Sequence, residues 1–137
     1  MRILLTILVL GSLSLSGCGN YTTNSYSYEA MRDVTFIVNT KKLKYYPNVN
    51  SVFLHFELIV ENASNKDIYL DVGKIQASLN GVKSLATHYD SVASVMPHKE
   101  KLGKGRTSNN LYLVFSDKLR NQKLKEFNIT SFGLSNI

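Results

Sequence analysis

The stretch "SVFLHFELIVEN", Ser51 to Asn62, alternates with a period of two. Val52, Leu54, Phe56, Leu58 and Val60 fall on one side, and Phe53, His55, Glu57, Ile59 and Glu61 on the other. Successive side chains of a strand point to opposite faces. The pattern therefore describes a strand with one face in an apolar core and the other partly in water. A helix would repeat its apolar residues three and four apart, and this stretch does not.

The same period recurs on both sides of this strand. Upstream, "DVTFIVN" (Asp33 to Asn39) sets Val34, Phe36 and Val38 against Thr35 and Ile37. Downstream, "NASNKD" (Asn62 to Asp67) is a turn-rich break. Then come "IYLDV" (Ile68 to Val72) and "KIQASL" (Lys74 to Leu79), read as two strands, with Asn80-Gly81 as a tight hairpin signal. "SVASV" (Ser91 to Val95), "NLYLVFS" (Asn110 to Ser116) and "EFNITSFGL" (Glu126 to Leu134) complete the set. "SDKLRNQKLKE" (Ser116 to Glu126) lacks β-branched residues and predicts a short helix or helical turn, with Ser116 as its cap. Pro47 and Pro97 fall in connections, where proline is tolerated. Seven or eight short strands over residues 33–137 predict an all-β antiparallel sandwich with one short late helix, a small closed barrel being the alternative. The chain has no Trp and one Cys, which excludes an antibody-type domain.

The 137 residues fit one domain, and 19% charged with 44% hydrophobic residues suits a globular chain. The formal net charge of +6 favours anionic surfaces such as phospholipid headgroups, lipopolysaccharide or an acidic protein. The basic residues are scattered, which disfavours nucleic acid.

The first residues have the three-part layout of a secretory signal: Met1-Arg2, the apolar run Ile3 to Leu10 broken by Thr6, and small residues from Gly11 to Gly17. The apolar stretch is shorter than the roughly 20 residues a spanning helix needs. Its end, Leu15-Ser16-Gly17-Cys18, contains the chain's one cysteine and resembles the lipobox of bacterial lipoproteins at all four positions. The resemblance implies cleavage between Gly17 and Cys18, a thioether-linked diacylglycerol on Cys18 and an acyl chain such as palmitate on its new amine. Two or three such chains hold a protein stably on a bilayer, where one does not. The mature protein then has no free thiol. Gly19, where Asp tends to retain enterobacterial lipoproteins in the inner membrane, implies the outer membrane in a host that has one. "GNYTTNSYSYEAMR" (Gly19 to Arg32) is polar and without period, so residues 18–32 read as lipidated cysteine and spacer, with residues 33–137 as the domain. Tyr21, Tyr26 and Tyr28 suit headgroups, solvent or packing onto the domain. The motifs "ELIVENASNKDIYL" and "NLYLVFSDKLRNQKLKEFNI" resemble the small immunoglobulin-like domains of many bacterial lipoproteins, which are mostly binding or assembly modules.

The search for chemistry yields little. His55 and Glu57 share a strand face and could supply two metal ligands, though a solvated polar face is the simpler reading. His88 lies near Asp90, and Met96 and His98 are copper-type donors without the repetition a carrier shows. There is no Gly-x-Ser-x-Gly, and "GKGR" (Gly103 to Arg106) lacks the spacing of a phosphate loop. The Asn-x-Ser/Thr triplets at Asn20, Asn62 and Asn128 have no meaning in a bacterial lipoprotein. "MPHKEKLGKGRTSNN" (Met96 to Asn110) reads as a long mobile basic loop. Its Lys99, Lys101, Lys104 and Arg106, with Lys118 and Arg120 downstream, are the candidate partner-binding residues; Lys123 and Lys125 extend the second cluster, and Lys41, Lys42 and Lys44 form a third. No catalytic residue, metal or cofactor is predicted. The leading expectation is a non-enzymatic, lipid-anchored envelope module that binds another envelope protein or an anionic partner. An immunity or exclusion lipoprotein that blocks a phage, toxin or hydrolase is the second, and a metal carrier the third.

Overall fold

A computed structural model describes residues 3–4, 20–21, 23–90 and 99–136. The lipobox at residues 15–18, "SVASV" and the Met96, Pro97 and His98 triplet lie outside the described residues. The elements are β1 (Ile3–Leu4), β2 (Asn20–Tyr21), β3 (Ser25–Met31), β4 (Val34–Tyr46), β5 (Ser51–Asn62), β6 (Ile68–Leu79), β7 (Val82–Lys83), β8 (Ala86–Tyr89), β9 (Lys99–Leu102), β10 (Gly105–Ser116) and β11 (Phe127–Asn136). All pairings are antiparallel. The larger sheet has the order β1-β3-β4-β5-β10-β8, with β2 also on β4; the smaller has β11-β6-β7, with β9 also on β6. The fold is an all-β sandwich, and its two sheets do not close into a barrel.

β5 is the spine of the larger sheet. It pairs along its length with β4 on one side and β10 on the other. Its even-numbered residues Val52, Leu54, Phe56, Leu58 and Val60 are buried, as the alternation predicts. They meet Phe36, Val38, Leu111, Leu113 and Phe115 from their own sheet and Leu70, Ile75, Leu79 and Ile129 from the other. β4 keeps this phase only by a register shift between Thr40 and Lys42. The shift brings Leu43 to the core side, and Lys42, Lys44 and Tyr46 to the outside; without it two lysines would face the core. Thr87, buried on β8, donates from Oγ1 to the Ile75 carbonyl at 2.7 Å and ties the two sheets where the chain crosses between them.

Several expectations are corrected. The spacer reading of residues 18–32 fails from Ser25 onward, because Ser25–Met31 is a strand whose Tyr26 and Tyr28 are buried. Tyr26 packs on Phe127 with ring centroids 5.0 Å apart, and Tyr28 stands edge-on to Phe132 at 5.6 Å. Burial pushes the Tyr28 phenol up to about 12. The basic stretch after residue 98 is not a long loop, since Lys99–Leu102 and Gly105–Ser116 are strands joined through Gly103-Lys104. Its pairing comes from β6 and β5, and buried Leu102 supplies the apolar contact that a run of lysines conceals. "IYLDV" and "KIQASL" form one continuous strand, β6, through the exposed Gly73-Lys74. The extra residues of this irregularity, 71–74, lie on β6 and face the single residue Gly133 of β11, whose φ of 66° suits glycine. The late helical turn is present as expected, a single 3₁₀ turn, Asp117–Leu119, capped by Ser116; it buries Leu119 and is followed at Asn121 by a positive φ of 63°.

The strands define two ends. The hairpin end carries the Pro47–Asn50 turn, Asn80-Gly81 and the 3₁₀ turn. The crossover end carries Arg32-Asp33, the 63–67 connection and Gly103-Lys104. Asn62 holds the crossover end together. It is 2% exposed, and its Nδ2 donates to the carbonyls of Lys66 (2.8 Å), Gly103 (3.3 Å) and Leu102 (3.4 Å). Its Oδ1 accepts from the Ser64 backbone N–H at 3.0 Å and from the Ser64 hydroxyl. Asn62→Ala leaves those carbonyls short of a donor and is expected to cost about 2 kcal/mol in urea unfolding. Loss of less than about 0.5 kcal/mol would show that the connection does not depend on this side chain.

Candidate functional site

The outward residues of the larger sheet form a row that cross-strand register assembles. Lys42 of β4 pairs with His55 of β5, His55 with Tyr112 of β10, and Tyr112 with His88 of β8. Phe53 lies one position along β5 and stacks on Tyr112, with centroids 4.8 Å apart and planes 12° apart. Tyr46 covers Phe53 at 4.5 Å, and His88 lies 5.4 Å from Tyr112. Lys44 places its Nζ 5.0 Å from the Tyr46 ring centre. Such a face is large, rigid and amphipathic, the composition found where proteins meet partners.

A hydrogen-bonded chain runs through it. His55 Nδ1 is 2.8 Å from Asp90 Oδ2, and His55 Nε2 is 2.9 Å from the Tyr46 hydroxyl. With the carboxylate accepting from Nδ1–H, Nε2 is the acceptor and Tyr46 donates to it. The His55 side chain is 14% exposed and that of Asp90 45%. Desolvation, then the charges of Asp90 and Tyr112, push the Tyr46 phenol up from its ordinary value. A phenol acting as nucleophile or base needs the opposite shift. Chemically the chain is a clamp that fixes β4, β5 and the end of β8 to one another.

Beside it runs a polar track. Ser25 Oγ donates to Asn39 Oδ1 at 2.7 Å, Asn39 Nδ2 to Glu57 Oε1 at 3.2 Å, and Ser108 Oγ to Glu57 Oε2 at 2.8 Å. The bonds from Ser108 and then Asn39 hold the Glu57 carboxyl below its ordinary value. His55 and Glu57 do share a face, yet each has its polar atoms engaged by a different partner. Among the described residues there is no group of three or more His, Cys, Asp or Glu that could hold a metal ion.

The basic candidates are split between the ends. Lys99, Lys101, Lys104 and Arg106 surround the β9–β10 turn at the crossover end. Lys101 pairs with Asp67 at 3.5 Å, Arg106 with Glu61 at 3.4 Å, Lys104 Nζ donates to Asn65 Oδ1 at 3.4 Å, and Lys99 Nζ lies 4.6 Å from the Tyr69 ring. Lys118 and Arg120 are at the hairpin end, where Arg120 stacks on Tyr45 at 4.4 Å and so joins the cluster of Lys44. A cleft of about 530 Å³ lies at the crossover end between Arg32, Asp33, Asn65, Lys66 and Asn136.

Sequence reasoning placed His55 outward but missed its partners, Tyr46 and Asp90, and the stacked Phe53 and Tyr112. The usable signal was Phe53 and His55 on the outward side of β5 together with Tyr112, an outward residue in the apolar half of β10. Fold and site together define an all-β sandwich with an aromatic and histidine face on its larger sheet. Comparisons with protein families, curated proteins and solved structures gave no match.

The Glu57 shift has a pH consequence. A carboxyl depressed in the folded state adds stability above its unfolded pKa, and that stability is lost as pH falls through the folded value. Glu57→Gln is therefore expected to be less stable than wild type near neutrality. The gap should close below about pH 4 in thermal melts across pH. A gap that stays constant would show that the two bonds do not depend on ionisation.

Proposed function

We propose that this protein is a lipid-anchored, non-catalytic binding module of the bacterial cell envelope, which presents the outer face of its larger sheet to another envelope protein. The observation that carries this reading is the lipobox Leu15-Ser16-Gly17-Cys18, set two residues before the first strand of the mature chain at Asn20. Cleavage before Cys18 would also remove β1 from the outside of β3 and leave Ser25–Met31 at the edge of the sheet. Gly19 supports the outer membrane in a host that has one. The contact surface is the Tyr46, Phe53, His55 and Tyr112 face rather than the β9–β10 turn. Lys101 and Arg106 already have carboxylate partners, while the aromatic face offers rigid rings at low entropic cost.

A photo-crosslinking residue in place of Tyr112 tests this in cells. The expected result is a discrete adduct with one envelope protein, strong with Cys18 intact and lost with Cys18→Ser. No adduct from position 112, or the same adducts when the anchor is removed, would contradict the reading.

A further inference from the structure

The hairpin end carries three independent features. The first is covalent. β2 runs antiparallel to β4 with Asn20 opposite Leu43 and Tyr21 opposite Lys42, so the N-terminal end of β2 faces the Tyr46 end of β4 and the Pro47–Asn50 turn. Only Gly19 separates Asn20 from Cys18, a reach of about 7 Å at most over the two steps.

The second is charge. Lys118, Arg120, Lys123 and Lys125 lie on the exposed segment after β10, with Asp117 and Glu126 as its acids. Among the described residues, none of these four cations has a carboxylate within ion-pair distance. The segment is also held in shape. Asn80 Oδ1 accepts from the backbone N–H of Lys125 and of Glu126, both at 2.9 Å, and its Nδ2 donates to the Lys123 carbonyl at 2.7 Å. Leu119 is buried beneath it.

The third is apolar. Val49, 57% exposed, and Leu85, 68% exposed, are the exposed large hydrophobics of the described residues. Val49 sits in the β4–β5 turn. Leu85 donates its backbone N–H to Val114, two residues from the β10 terminus, at 2.7 Å. Both therefore lie at the hairpin end.

We infer that the hairpin end rests on an anionic bilayer, with Lys118, Arg120, Lys123 and Lys125 on the lipid headgroups and Val49 and Leu85 dipping into the interface. Basic residues around exposed apolar ones are the pattern of interfacial binding. This inference rests on the lipid-anchor reading above. It fixes the sandwich upright on its anchor, with the crossover end outermost and the aromatic face turned sideways to neighbouring proteins.

The test uses the lipidated full protein in vesicles of phosphatidylcholine with or without phosphatidylglycerol, carrying a lipid-borne quencher. Cys18 sulfur is then a thioether, so Leu85→Cys or Asn65→Cys supplies the single thiol for a fluorescent label. Strong quenching at position 85, little at position 65, and loss of the position-85 signal without phosphatidylglycerol or in Lys118→Glu/Arg120→Glu is expected. Equal quenching at both positions, or quenching at position 85 that ignores anionic lipid and charge reversal, overturns the inference. So does position 85 staying in water in protein that floats with the vesicles, the result an acidic protein partner for this end would give; the anchor then stands. Protein that does not float at all and carries no lipid mass overturns the anchor reading as well.

Discussion

Everything in this sandwich depends on the phase of β5. Both its edges are hydrogen-bonded, to β4 and to β10, so no other pairing is open to it. A slip by one residue would carry Leu54 and Phe56 into water and His55 and Glu57 into the core. The neighbours conform to that phase. β4 takes a bulge at Lys41 so that its lysines stay outside. β10 begins polar, from Gly105 to Asn110, and its buried residues begin at Leu111. The same phase that fills the core with the even residues places Phe53 and His55 on the outer face.

What could be read from the sequence follows from that asymmetry. Strands that carry their own apolar alternation were legible: Val52 to Val60, Val34 to Val38 and Leu111 to Phe115 all have the inward residues expected of them. Strands that borrow their order from neighbours were not. β9 is "KEKL", and the first half of β10 is "GRTSNN"; in both the pairing comes from a partner strand and the composition resembles a loop. β3 was hidden for a related reason, because its buried residues are tyrosines, which suit water and membrane interfaces as well as cores. The site was legible only in part. His55 could be assigned a face, but Asp90 is 35 residues away and Tyr112 is farther still, and no local pattern encodes a register between distant strands.

Charge is distributed with the same logic. At the crossover end two of the cations have carboxylate partners, Lys101 with Asp67 and Arg106 with Glu61, and Asn62 ties the 63–67 connection to the β9–β10 turn. At the hairpin end the cations of the 117–126 segment have no carboxylate partner among the described residues, and the N-terminal end of β2 faces that end of β4. The two ends are thus chemically distinct. The broad face between them, with its stacked Phe53 and Tyr112, is the remaining surface with the composition of a contact site.

The proposed anchoring depends on Cys18. The most direct measurement is the intact mass of the mature protein extracted from its own host with detergent. The account predicts a chain that begins at Cys18 and is heavier than its residues by a diacylglyceryl group and an acyl chain. A chain that retains residues 1–17, or that begins elsewhere with no lipid mass, would contradict it.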